Sequence, residues 1–246
     1  MWIYGRHACL SAISNMNRVC EELVVAAGLS KKYAELIKLA RNRKVFVREM
    51  DAQKLDSIVK SKVVHQGVLM RVMPIFGHNS SSSIRVEDVV ARTAGFPTST
   101  ILMLDEVTDV HNVGAILRSA ACFNVDAVLI TEHNSPAESF GMAKASSGAT
   151  DIVPVVCICN LVKTLEYLKL KNYWCYGFDA VEGSPLHEVK FSKHRVIVLG
   201  SENKGLRQLT RRHCDHLVKI SMSGKMDSLN VSTAAAIAMY SAMLQN

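Results

Sequence analysis

Residues 101–120, Ile101-Leu102-Met103-Leu104-Asp105-Glu106-Val107-Thr108-Asp109-Val110-His111-Asn112-Val113-Gly114-Ala115-Ile116-Leu117-Arg118-Ser119-Ala120, read as a strand that empties through a polar loop into a helix. The opening apolar run fits a strand covered on both faces, and helical periodicity follows the turn formers. The same unit recurs outward from here. Ala127–Ile130, Ile152–Cys157, Trp174–Phe178, Val196–Leu199 and Leu217–Ile220 are further apolar strand patterns, separated by helical ones. Near-continuous apolar strands alternating with helices predict an α/β fold, a mainly parallel sheet with helices on both faces. Ligands of such sheets bind in the crevice beyond the carboxyl ends of the strands. The segments just after strand ends are therefore where chemistry is to be sought.

Upstream, the pattern changes to a smaller module. Leu23–Ala27, Val45–Val47 and Gln66–Val72 read as strands, and Lys31–Ala40 as a helix with Tyr33, Leu36, Ile37 and Ala40 at helical spacing. This predicts a separate α/β domain over residues 1–74. Pro74, Gly77, His78, Asn79 and the run Ser80–Ser83 offer turn formers and little to bury, which marks residues 75–96 as a linker. Residues 97–246 form the second domain.

With 49% hydrophobic and 21% charged residues, the 246-residue chain can bury a substantial core, which excludes disorder as its main state. No apolar stretch reaches the roughly 18–20 residues of a spanning helix, and Met1–Leu10 lacks the pattern of a secretion signal, so a soluble, cytoplasmic protein is expected. Seven cysteines without zinc-type pairing fit a reducing compartment and a packing role; Cys157 and Cys159 form only a C-x-C. The net charge of +7 is unevenly placed. Residues 1–75 carry thirteen Lys and Arg against six acids, while the remaining 171 residues carry sixteen of each sign. Such a leading third suits a polyanion, although a merely solubilising basic face has the same composition.

Three segments hold the candidate chemistry. In the first, Asn112 has the side chain of a helix N-cap, and Arg118 is the one charge in an apolar helix, where it needs solvent or an anion such as phosphate. The second is Val196-Ile197-Val198-Leu199-Gly200-Ser201-Glu202-Asn203-Lys204-Gly205-Leu206. It lacks the Gly-Lys-Ser/Thr of a Walker loop, and no G-x-G-x-x-G occurs in the chain, which argues against nucleotide triphosphatases and Rossmann-type cofactor binding. Its glycines allow close approach to the backbone, and Glu202 has the charge that favours a helix start. The third runs from Ile220 through Ser228, Leu229 and Asn230 into a helix rich in small residues and apolar on nearly all sides, to be buried or packed on another subunit. Taken singly, Ser228 and Asn230 read as caps.

Together and in this order, Asn112-Val113-Gly114-Ala115-Ile116-Leu117-Arg118-Ser119-Ala120, Gly200-Ser201-Glu202-Asn203-Lys204-Gly205-Leu206 and Ser228-Leu229-Asn230-Val231-Ser232 resemble the three motifs of the SpoU/TrmH (SPOUT) family of RNA ribose 2′-O-methyltransferases. Lys144-Ala145-Ser146-Ser147-Gly148-Ala149 is similar to a further family segment. Tyr4-Gly5-Arg6-His7-Ala8 with His65-Gln66-Gly67-Val68 resembles members that carry an extra RNA-binding domain. Within the family, the match is to the type that methylates a guanosine ribose in large-subunit (23S) rRNA. A tRNA guanosine enzyme and a non-catalytic RNA-binding or ribosome-assembly factor are the competing readings.

The resemblance implies a C-terminal trefoil knot, S-adenosylmethionine bound within it, and a homodimer that completes the active site. It assigns Gly200, Ile220 and Leu229 to the cofactor pocket. Arg118 is assigned to the substrate phosphate, with Asn112, Glu202, Ser228 and Asn230 orienting the reacting groups. No metal is expected. His111, His213 and His216 read as loop, helix-end and surface histidines, and Met222, Met226 and Met239 as packing residues.

Overall fold

The computed structural model describes residues 1–59, 64–77, 80, 84–202 and 204–245; expectations resting on Lys60, Lys62, His78, Asn79, Ser81–Ser83 and Asn203 lie outside them. The leading domain is built from β1 (Trp2–Tyr4), α1 (Arg6–Ser14), β2 (Cys20–Ala26), α2 (Ala34–Asn42), β3 (Phe46–Met50), α3 (Ala52–Val59) and β4 (Val68–Val72). Its sheet has the order β1-β4-β2-β3, with β2 and β3 parallel and the other pairs antiparallel. Helix α2 begins three residues later than its apolar spacing predicts, because Tyr33 is its N-cap.

The second domain follows as α4 (Val86–Thr93), β5 (Ser99–Asp105), α5 (Val110–Cys122), β6 (Ala127–Thr131), α6 (Phe140–Ala145), β7 (Val155–Ile158), α7 (Leu161–Leu170), β8 (Trp174–Phe178), β9 (Ser184–Pro185), β10 (His194–Gly200), α8 (Gln208–His213), β11 (His216–Lys219) and α9 (Val231–Met243). Its seven strands lie in the order β7-β6-β5-β10-β8-β11-β9, and every neighbouring pair is parallel. The expected fold class is the one observed. Alternate residues of the apolar strands feed two cores. Leu102, Leu104, Ile197 and Leu199 meet α5 and α9 on one face, while Ile101, Met103, Val196 and Val198 meet α4 and α7 on the other.

Starting from β5, the chain builds outward through β6 and β7, then returns to place β10 on the opposite side of β5. Strand order therefore reverses between β5 and β10. Asp105 and Gly200, the last residues of the two strands, are register partners.

Two features depart from the sequence reading. Residues 75–96 are not simply polar loop: Ile75 and Phe76 are buried in the core, and α4 packs Val86 and Val89 against the sheet. Arg18, read as one of thirteen leading cations, is 1% exposed and joins the domains. Its guanidinium donates to both carboxylate oxygens of Glu138 at 2.7 and 2.5 Å and lies 3.3 Å from Asp151. Glu138 also accepts from the Ile75 backbone, and Asp151 from Asn15.

All seven cysteines are free, and burial pushes the Cys175 and Cys214 thiols up to about 12, which keeps them protonated and inert. Among the described residues no helix is long and apolar enough to cross a membrane, and no cluster of three His, Cys, Asp or Glu is placed to hold a metal.

Candidate active site

Helix α5 is capped by Asp109, whose carboxylate accepts from the His111 N–H at 2.8 Å. Asn112 is thus not the cap; it sits in the first helical turn with its amide left for partners outside the helix. Asn230 does cap its helix. Its Oδ1 accepts from the Ser232 N–H at 2.9 Å and from the Ser232 hydroxyl at 2.6 Å.

Those two bonds fix the polarity of everything upstream, because a backbone N–H only donates. With Oδ1 of Asn230 engaged, its Nδ2 donates to Asn112 Oδ1 at 3.0 Å, and Asn112 Nδ2 donates in turn to Glu202 Oε1 at 2.8 Å. One directed relay therefore ties the start of α9 to the start of α5 and on to the loop after β10.

That loop is a tight reversal closed by Ser201 N–H to Gly205 O at 3.1 Å and Gly205 N–H to Ser201 O at 2.9 Å. A Cβ on Gly200 would sit 2.0 Å from the Gly205 carbonyl carbon, so glycine here is required by the chain's own fold-back rather than by a ligand. Glu202 stands in this loop, ahead of α8, and not at a helix start. Arg207 fastens the loop's far end: its side chain lies 2.7 Å from Asp105 and 3.0 Å from Glu106, while Thr210 donates to Asp105 at 2.7 Å. Asp105, Arg207 and Thr210 escaped the sequence reading; a carboxylate ending an apolar strand was the available signal.

Beside the relay lies a cleft of about 330 Å³. Gly200, Glu202, Ile220, Ser228 and Leu229, five of the eight candidates, line it, and Asn112 and Asn230 adjoin through hydrogen bonds. Ser228 is a cleft residue and not a cap. Met222 also lines it, beyond the packing role its type suggested, as do Phe178 at the end of β8 and Asp179–Val181 after it, a strand end the sequence reading left unused. Asp179 shapes that segment by accepting from the Val181 and Glu182 N–H groups at 2.9 and 3.0 Å.

Arg118 is not brought to this cluster. Six residues along α5 carry it about 9 Å from Asn112 and onto another face of the helix. It is exposed and makes no ion pair or hydrogen bond among the described residues.

An apolar-walled cleft with a few convergent polar groups, placed at the carboxyl ends of β8, β10 and β11 in a parallel sheet, defines a small-molecule-binding α/β enzyme domain, here joined to a basic accessory domain. Residues 99–240 match the SpoU rRNA Methylase family, and residues 2–75 match the RNA 2′-O ribose methyltransferase substrate-binding domain. The chain belongs to the SpoU rRNA Methylase family. The 23S rRNA (guanosine-2′-O-)-methyltransferase RlmB of Xylella fastidiosa is 37% identical over 245 residues, covering 99% of this chain and 96% of that protein. The protein of the same name from Pseudomonas aeruginosa is 32% identical over 246 residues, with the same coverage. Among solved structures, the SpoU methyltransferase AviRb from Streptomyces viridochromogenes in complex with the cofactor AdoMet superimposes with a TM-score of 0.80 at 20% identity, covering 100% of this chain and 89% of that one. The A. aeolicus TrmH/SpoU tRNA modifying enzyme gives 0.55 at 24% identity, over 65% of this chain and 83% of that one.

Proposed function

We propose that the chain is an S-adenosylmethionine-dependent RNA ribose 2′-O-methyltransferase acting on a guanosine of 23S rRNA. The observation that carries this reading is the Asn230–Asn112–Glu202 relay, which gathers the three family motifs around one cleft. Full-length similarity to rRNA enzymes supports the substrate, whereas the tRNA-modifying structure matches only 65% of the chain.

The cleft suits the cofactor: Ile220 and Leu229 offer apolar faces to an adenine, and Gly200 and Ser201 line the wall beside them. S-adenosylmethionine supplies an electrophilic methyl group on a sulfonium. The chain's own part is to bring a ribose 2′-hydroxyl into line and favour loss of its proton. Glu202, Asn112, Ser228 and Asn230 set the polar wall against which ribose and cofactor are oriented. Arg118, permanently protonated, binds the phosphate beside the reacting ribose and aligns the hydroxyl rather than acting as a base.

Since Arg118 stands outside the cleft of its own chain, the reading includes a homodimer in which each Arg118 serves an assembled site. Ile237 and Tyr240 on α9, with Leu244 as its C-cap, support it: they are 36%, 48% and 64% exposed at helical spacing, and α9 packs on the helix that carries Arg118. The C-terminal knot, the cytoplasm as the place of action and independence from metal belong to the same proposal. Transfer of labelled methyl from S-adenosylmethionine to unmodified 23S rRNA tests it; absence of transfer to rRNA, or transfer to the base instead of the 2′-oxygen, overturns it.

A further inference from the structure

We infer that the outer edge of the leading domain, where α2 runs into β3, holds a single-stranded stretch of RNA, with Phe46 as a shelf for one base. The inference rests on the RNA reading above and specifies the surface that reading leaves open. β3 is the edge strand of its sheet. Alternation along it sends Val47 and Glu49 to the α2 side and Phe46 and Arg48 to the opposite face. Val47 packs against the core, but Phe46 is left 63% exposed. A bare aromatic ring on an edge strand invites unwanted association, and it is flanked here by Lys44 and Arg48 instead of being covered.

On the α2 side of the same strand runs a groove of about 500 Å³ whose walls carry Lys31, Lys38 and Arg41. The cations nearby divide into two kinds. Arg43 is consumed internally, donating to the carbonyls of Ile13, Asn15 and Arg18 at 2.7–2.9 Å, and Arg48 is held by Glu22 at 2.8 Å. Lys31, Lys38, Arg41 and Lys44 are exposed and make no ion pair among the described residues. Three uncommitted cations on the α2 side of the edge strand, with Lys44 next to the uncovered phenyl ring on the other, match a single strand that wraps this edge, since phosphates take the charges and any base offers a face to stack. An apolar protein partner would use the ring and leave the cations idle.

The test uses the full-length chain, a labelled single-stranded 20-nucleotide RNA and transcribed 23S rRNA. Phe46→Ala is expected to weaken binding to the oligonucleotide about tenfold with an unchanged salt slope, and Phe46→Trp to restore it. Lys38→Ala with Arg41→Ala is expected to lower the slope of log K against log salt by about 1.4, two phosphate contacts at about 0.7 each. Affinities within twofold of the parent and unchanged slopes in both variants overturn the inference, as does a change in oligomeric size with Phe46→Ala while RNA affinity is kept. A parent chain that transfers no methyl group, yet binds RNA in a Phe46-dependent way, removes the methyltransferase reading and leaves this surface standing.

Discussion

Asn112 and Asn230, 118 positions apart in the chain, share a 3.0 Å hydrogen bond whose direction is dictated by the backbone N–H of Ser232. Because Asn112 passes that direction on to Glu202, its role depends on having both a donor and an acceptor. Asn112→Asp keeps the size and the acceptor but sets a carboxylate against the carboxylate of Glu202. The expected result is a fall in kcat of about 100-fold or more, the scale of lost alignment, with RNA affinity unchanged. Single-turnover methyl transfer with saturating rRNA measures it, and near-parental turnover would remove the relay from the chemistry.

Arg118→Ala is expected to leave S-adenosylmethionine affinity by calorimetry within about twofold while abolishing turnover, since Arg118 stands outside the cleft. Arg118→Lys is expected to recover little, because a lysine lacks the planar fork that grips two phosphate oxygens. Equal loss of cofactor binding and turnover would argue against a phosphate role.

Gly200→Ala places a methyl 2.0 Å from the Gly205 carbonyl carbon, a clash with backbone that no side-chain rotation relieves. The loop after β10 then cannot close on itself. Calorimetric binding of S-adenosylmethionine is expected to vanish, with a lowered Tm; a variant that binds the cofactor normally would show that the fold-back is dispensable.

Tyr240→Glu puts a charge on the exposed apolar stripe of α9. Light scattering is expected to report a monomer in place of a dimer, with secondary structure retained and methyl transfer lost. A monomeric variant with full activity would separate assembly from catalysis.

The joint between the domains predicts a pH dependence. Burial, opposed by Arg18, pushes the Asp151 carboxyl up to about 6, against about 3.9 in an unfolded chain. An acid raised in this way holds its proton more tightly in the folded state, so its stabilising contribution is complete below about pH 4 and is lost as pH rises through about 6. The stability difference between the parent and Asp151→Asn, measured by urea unfolding, is expected to move against the parent across that window. Arg18→Met leaves two buried carboxylates without their cation and is expected to cost roughly 3–5 kcal/mol at neutral pH. A parent that gains stability relative to Asp151→Asn between pH 4 and 6 would contradict the assignment.

The apolar runs of β5 and β10 were legible because strands covered on both faces have little choice of residue. β1 and β9, of three and two residues, are too short to leave a period. Residue types placed Asn112 and Glu202 among the candidates, but their contact spans 90 positions and belongs to the strand order, which spacing along the chain does not encode. The same limit hid Arg18: a buried cation differs from a surface one only through partners 120 and 133 residues away. Asn112 and Asp109, three residues apart, are equally good caps by residue type, and only the bond from the His111 N–H to the Asp109 carboxylate shows which position the helix uses.

The fully dried pairing of Arg18 with Glu138 leaves the two halves of the molecule little slack. A pliant tether would let the leading half search while the other half works; a stiff bracket makes the pair behave as a caliper. The distance between whatever is gripped and the ribose presented to the cleft is then a property of the protein, so reach along the folded RNA becomes a criterion of choice in its own right.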